Sequence, residues 1–131
     1  MKYKIIVFDL DQTLIDGTIY KDVIDILDRL KKSGYLLSIA SFNRCARILC
    51  DRYDITKYFD IICGYSDFDK ISHFNTIVQY YKFRQVDFKH EEIIFFDDQY
   101  MNFVLLKPVF NVKCYLINPD VGLTLKDVEW L

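Results

Sequence analysis

The chain has 131 residues, of which 52% are hydrophobic, 17% aromatic and 27% charged. That supplies enough large apolar side chains to bury the core of one domain spanning 1–131, and too many for a disordered segment. The formal net charge of -2 comes from acids and bases spread along the sequence, which excludes a basic stripe and argues against nucleic acid as a partner. No apolar run reaches the roughly 20 residues of a membrane span and no signal-peptide profile opens the sequence, so a cytoplasmic protein with no membrane partner is expected.

Residues 3–10 form a nearly unbroken apolar run with β-branched side chains, the pattern of a central strand buried on both faces, and the run ends on acids. In residues 22–32 the side chains of Val23, Ile24, Ile26, Leu27 and Leu30 recur at helical spacing, with Gly34 as the stop signal. Residues 35–40 repeat the buried-strand pattern, and Asn43 is placed to cap a second helix carrying Ala46, Ile48 and Leu49. A short strand at 61–63 follows, then a helix at 72–81 with Phe74, Ile77, Val78 and Tyr81 on its apolar face. A fourth strand at 92–96 ends on a second acid pair, a short helix at 102–106 stops before Pro108, and a fifth strand at 112–117 precedes a helical turn near Leu125.

Strands alternating with helices predict an α/β, Rossmann-like three-layer sandwich around a mostly parallel five-stranded sheet, with no segment long enough for a cap domain. Cys45, Cys50, Cys63 and Cys114 form no CxxC pair and sit in apolar or helical segments, so structural, buried thiols are expected. His73 and His90 are expected as partly exposed helix or loop residues.

In such sheets ligands bind beyond the carboxyl ends of the strands, where this chain places Asp9, Asp11, Ser41, Asp97 and Asp98. Asp9 and Asp11 stand two residues apart, which in an extended segment turns them to one side. At an effective dielectric of about 20, carboxylates some 4 Å apart repel by roughly 4 kcal/mol. A third acid from the fourth strand adds to that strain, so a hard, oxygen-seeking cation is expected, with magnesium the best fit.

Four segments in order resemble the motifs of the haloacid dehalogenase superfamily: Asp9-Leu10-Asp11-Gln12-Thr13, Ser41 closing the second strand, Lys70 before the third helix, and Asp97-Asp98 with Asn102 behind them. Lys70-Ile71-Ser72-His73-Phe74 and Ile94-Phe95-Phe96-Asp97-Asp98 look like the magnesium-dependent phosphatase-1 group within it. The resemblance implies a phosphomonoester phosphatase in which Asp9 attacks phosphorus and Asp11 protonates the leaving oxygen, then activates water. Magnesium would be held by Asp9, the Asp11 carbonyl and Asp98, with Lys70 neutralising phosphoryl charge. Ser41, Phe42 and Asn43 would face the substrate, while Thr13, Asp97 and Asn102 would brace these groups.

The second motif reads Ser41-Phe42-Asn43-Arg44 where related phosphatases carry Ser-Arg-Thr, and the stretch from 14 to 23 is short where relatives insert a longer flap. An open site favours a phosphoprotein or a sugar phosphate as substrate, or a second copy of the chain as cover. The competing readings are a catalytically weak binding protein on the same fold and a phosphatase of nucleic-acid ends. A phospho-acceptor signalling domain is disfavoured because Cys63-Gly64 stands where its acceptor acid would lie.

Overall fold

In the computed structural model, residues 2–131 are described, so of the expected 1–131 domain Met1 lies outside. The strand β1 (Ile5–Phe8) is buried throughout and divides its side chains between two cores: Ile6 and Phe8 enter one, Ile5 and Val7 the other. Parallel to it lie β4 (Leu36–Ser41) on one side and β6 (Ile93–Asp97) on the other. The edges are β5 (Ile61–Gly64) and β7 (Lys113–Leu116), giving the order β5-β4-β1-β6-β7 with every pair parallel. Helices α1 (Val23–Lys32) and α2 (Ala46–Arg52) cover the face with Phe8 and Phe96, whose rings stack at 5.4 Å. Helices α3 (Ile71–Phe83) and α4 (Tyr100–Leu106) cover the face with Val7 and Phe95. This is the expected five-stranded, three-layer α/β fold, and among the described residues no segment forms a cap and no helix is long and apolar enough to cross a membrane.

The local differences have physical reasons. On α1 the buried residues Val23, Ile26, Leu27 and Leu30 make one stripe, and Ile24, about 100° round from Val23, is exposed. Ile48 lies on the face of α2 opposite Ala46 and Cys50 and is exposed as well. Asn43 is not the cap of α2: Cys45 holds that position with no side-chain bond, and it is exposed rather than buried. His73, expected partly exposed, has no exposed surface at all. Between 14 and 23 the chain forms a miniature hairpin of β2 (Ile15–Asp16) and β3 (Thr18–Ile19) turning at Gly17, whose φ is +69°. A last turn, α5 (Leu125–Val128), has Thr124 and Asp127 as a reciprocal capping box.

From β1 the connections lead outward through β4 to β5, and from β6 outward to β7, so the crevice between β1 and β6 is the switch point of the sheet. The buried polar side chains gather there. Asp9, Thr13, Ser41, Lys70, His73, Asp97 and Asn102 all lie at or behind the carboxyl ends, and Ser38, bonded to Tyr81 at 2.5 Å, stands apart.

Candidate active site

The carbonyl of Leu10 receives the backbone N–H groups of Thr13, Leu14 and Ile15 at 3.3, 2.9 and 3.2 Å, which curls the chain tightly after β1. Gln12 takes a left-handed φ of +63° to complete the turn. Strand geometry stops at Phe8, so the extended-segment argument for Asp9 and Asp11 does not hold: Asp9 is buried while Asp11 is exposed. Both still line one cleft of about 360 Å³ with Ser41, Phe42, Lys70 and Asp98. The carboxylate crowding expected of Asp9 and Asp11 lies instead among Asp9, Asp97 and Asp98, whose oxygens come within 4.8 Å of one another. A larger hollow of about 570 Å³, lined by residues 20–22, 120–121 and 123–126, brings no group of three acids together among the described residues, so the smaller cleft is the candidate site.

Lys70 immediately precedes the first turn of α3, and 99% of its surface is buried. Its Nζ donates to Asp9 Oδ1 at 2.8 Å and to Asp97 Oδ2 at 3.0 Å, while the rings of Phe42 and Phe95 lie 5.1 and 5.4 Å away. Burying an ammonium without such partners would cost several kcal/mol. Asp97 has two further partners: Oδ2 also accepts from Asn102 Nδ2 at 2.8 Å, and Oδ1 accepts from the Gln99 backbone at 3.0 Å. Thr13 Oγ1 reaches Asp9 Oδ2 at 3.5 Å, the long end of hydrogen bonding. Asp98 is half-buried and its Oδ2 accepts from Gln99 Nε2 at 3.3 Å.

Burial pushes the Asp9 carboxyl well above the usual carboxylate range; Lys70 opposes the rise and Asp97 adds to it. Burial also raises Asp98; a hydrogen bond with Asp9 opposes the rise and the charge of Asp97 adds to it. Three carboxylates against one ammonium leave a surplus of two negative charges when all are ionised. An all-oxygen donor set with that surplus fits a hard divalent cation.

Beyond β4 the Ser41 hydroxyl accepts from the Asn43 backbone at 3.1 Å. The Asn43 side chain donates to Asp11 Oδ2 at 3.0 Å. His73 Nε2 lies 3.1 Å from the Ser41 carbonyl and 2.9 Å from that of Tyr65. Both are acceptors, so Nε2 carries the proton and donates to them, and Nδ1 is buried without a partner among the described residues. The imidazole stacks on Tyr65 at 4.2 Å and meets Phe42 edge-on at 5.4 Å. One turn of α3 thus ties Lys70 to the acids and His73 to the Ser41 loop.

Of the site residues expected from the sequence, Asp9, Asp11, Ser41, Phe42, Lys70, Asp98 and Asn102 line the cleft, and Thr13, Asn43 and Asp97 bond to members of that set. Sequence reasoning missed Gln12, Gln99 and Met101, which also line it. Gln12 and Gln99 sit beside the two acid pairs, which is the one signal the sequence offers for them.

The sequence profile of the acid phosphatase family matches residues 15–130. The chain belongs to the acid phosphatase family. Because the match begins after Asp9 and Asp11, the family assignment and the geometry of those two acids are independent observations. No curated protein sequence matches the chain. Among solved structures, a hydrolase of the haloacid dehalogenase-like family from Streptococcus pneumoniae is 16% identical, with a TM-score of 0.75 over 98% of this chain and 90% of that one. The N-terminal part of a Bacteroides fragilis protein, containing a phosphatase domain in complex with Mg, is 15% identical, with a TM-score of 0.75 over 98% of this chain and 40% of that one. A haloacid dehalogenase-superfamily hydrolase from Geobacter sulfurreducens is 11% identical, with a TM-score of 0.67 over 93% and 92%. The acid phosphatase is thus a hydrolase of phosphorylated substrates with a haloacid dehalogenase fold.

Proposed function

We propose that this acid phosphatase hydrolyses phosphomonoesters through a phospho-aspartate on Asp9, with a divalent cation, magnesium by chemistry, held by Asp9, Asp98 and the Asp11 carbonyl. The observation that carries the reading is the buried Lys70 bridging Asp9 and Asp97 beside Asp98, a carboxylate cluster that its own ammonium does not neutralise. When bound, the cation would supply the missing positive charge and offset that of the phosphoryl group. Asp97 Oδ2 is taken up by Lys70 and Asn102 and its Oδ1 accepts the Gln99 N–H, so Asp97 orients Lys70.

In the first step an Asp9 carboxylate oxygen bonds to phosphorus as the ester P–O bond breaks, and the proton on Asp11 passes to the leaving oxygen. In the second, water attacks phosphorus, Asp11 takes its proton, and inorganic phosphate leaves with Asp9 restored. Lys70, fixed by two carboxylates, keeps Asp9 from turning away, and the Ser41 hydroxyl is available to a phosphoryl oxygen. Among the described residues nothing caps the cleft, which suits a phosphoprotein or a sugar phosphate whose bulk excludes water.

Acid-quenched intact-mass measurement with an aryl phosphate tests the mechanism. Asp9→Asn should show neither turnover nor a phosphoryl adduct. Asp11→Asn keeps the nucleophile and loses the group that typically contributes about 100-fold to 10,000-fold, so the adduct should accumulate. An adduct on any residue other than Asp9, or turnover undiminished in Asp9→Asn, overturns the reading.

A further inference from the structure

Asn43 has the geometry of a residue whose orientation is dictated. Its Oδ1 accepts the Cys45 backbone N–H at 2.8 Å, a contact only the carbonyl end of an amide can make, so Nδ2 is the end that meets Asp11 Oδ2 at 3.0 Å. Its own backbone N–H donates to Ser41 Oγ at 3.1 Å, and its carbonyl accepts from the Ala46 N–H at 3.1 Å. The loop cannot retreat from Asp11 either. It rests on β5 at Gly64, where even a Cβ would come within 2.8 Å of the Asn43 carbonyl oxygen and 2.7 Å of Ala46 Cβ.

Asp11, by contrast, is exposed and otherwise loosely held: its carboxylate has no bond to any other side chain among the described residues. An exposed carboxylate rotates freely, and a general acid acts only when its proton-bearing oxygen is aimed at the leaving group. We infer that Asn43 is the positioning residue for Asp11: Nδ2 engages Oδ2 and leaves Oδ1 to exchange the proton, so the amide acts through Asp11 rather than on the substrate. This replaces the substrate contact expected of Asn43, and it rests on the proton-transfer role proposed for Asp11. It also gives the departure from Ser-Arg-Thr at the second motif a chemical meaning, because an amide locked by Cys45 supplies a donor to the acid in place of a cation for the substrate.

The proton from Asp11 matters in proportion to the basicity of the leaving oxygen, which provides the test. kcat/KM, which reports the steps through formation of the phosphoenzyme, is measured with magnesium for 4-nitrophenyl phosphate, phenyl phosphate and an alkyl phosphate. Asn43→Asp keeps an acceptor for the Cys45 N–H but removes the donor to Asp11; Asn43→Ala removes both. Both variants should lose little on 4-nitrophenyl phosphate and about 10-fold or more on the other two, while Asp11→Asn should show the same trend more steeply. A trend in Asp11→Asn with uniform losses, or none, in both Asn43 variants overturns the inference and leaves the proton-transfer role standing. A loss in Asn43→Ala that Asn43→Asp fully rescues makes Asn43 a turn residue and equally overturns it. Uniform losses in Asp11→Asn itself refute the role of Asp11, and the inference falls with it.

Discussion

Lys70 carries more of the site than any other side chain, because one ammonium with 1% of its surface exposed offsets two buried carboxylates. Removing one partner of a buried ion pair typically costs about 3–5 kcal/mol, so Lys70→Met should destabilise the metal-free protein by an amount of that order in urea unfolding and abolish turnover. A loss within error would show that the carboxylates take up protons freely enough to dispense with it. His73 makes a prediction about pH. Burial and the nearby ammonium hold its imidazole below the ordinary value of 6.5, against the opposing pull of its two carbonyl partners. The unfolded chain therefore binds a proton before the folded one does, and His73's contribution is fully present above pH 6.5 and lost as pH falls from there toward the lowered folded value. His73→Gln should flatten the stability–pH curve as pH falls below 6.5, whatever its effect on the absolute level. An unchanged slope would place the titration elsewhere. The sequence concealed this histidine: nothing in helical spacing separates a polar residue three positions past Lys70 that faces water from one that ties down Ser41.

The elements themselves were largely legible. Five strands and the helices between them follow from apolar runs and helical spacing, with boundaries displaced by one or two residues, since strand ends depend on partners that periodicity does not encode. The hairpin at Ile15–Ile19 escaped because strands of two residues are too short to show alternation. Gly64 and Gly17 test how tightly elements meet the site. At Gly64 a methyl would strike Ala46 Cβ and the Asn43 carbonyl, both close to the backbone of α2 and its loop. Gly64→Ala should therefore cost about 1–3 kcal/mol, the usual range for overpacking, and displace the Ser41–Asn43 loop enough to lower activity. At Gly17 the Cβ has open space, but φ is +69°, so Gly17→Ala should cost only the left-handed penalty of about 1–2 kcal/mol and leave the loop beyond β4 untouched. Thermal melts with parallel assays separate the two, and equal activity losses would contradict the close contact at β5.

At the scale of the molecule, the parallel sheet turns four distant stretches of sequence into one cleft, because β1, β4 and β6 all present their carboxyl ends at the same edge and α3 brings Lys70 to it. Strand ends and acid pairs disclosed that much. What they did not disclose was which acids crowd together, because lateral neighbours are set by strand order rather than by spacing: Asp9 meets Asp97 and Asp98 across the β1–β6 pair, not Asp11 along its own segment. The consequence is global. A cation that binds this cluster in the folded chain and not in the unfolded one stabilises the whole protein, by about 2.7 kcal/mol at 100 times its dissociation constant. Melting temperature should therefore rise with millimolar magnesium and return with chelator. Asp98→Asn should abolish the response without lowering metal-free stability, since among the described residues Asp98 forms no ion pair, and burial and the charge of Asp97 already disfavour its ionised form. Sodium chloride at matched ionic strength separates site binding from screening of surface charge. If magnesium and the salt control shift the melt equally, or if Asp98→Asn retains the full response, the carboxylates between β1 and β6 are not where the cation binds.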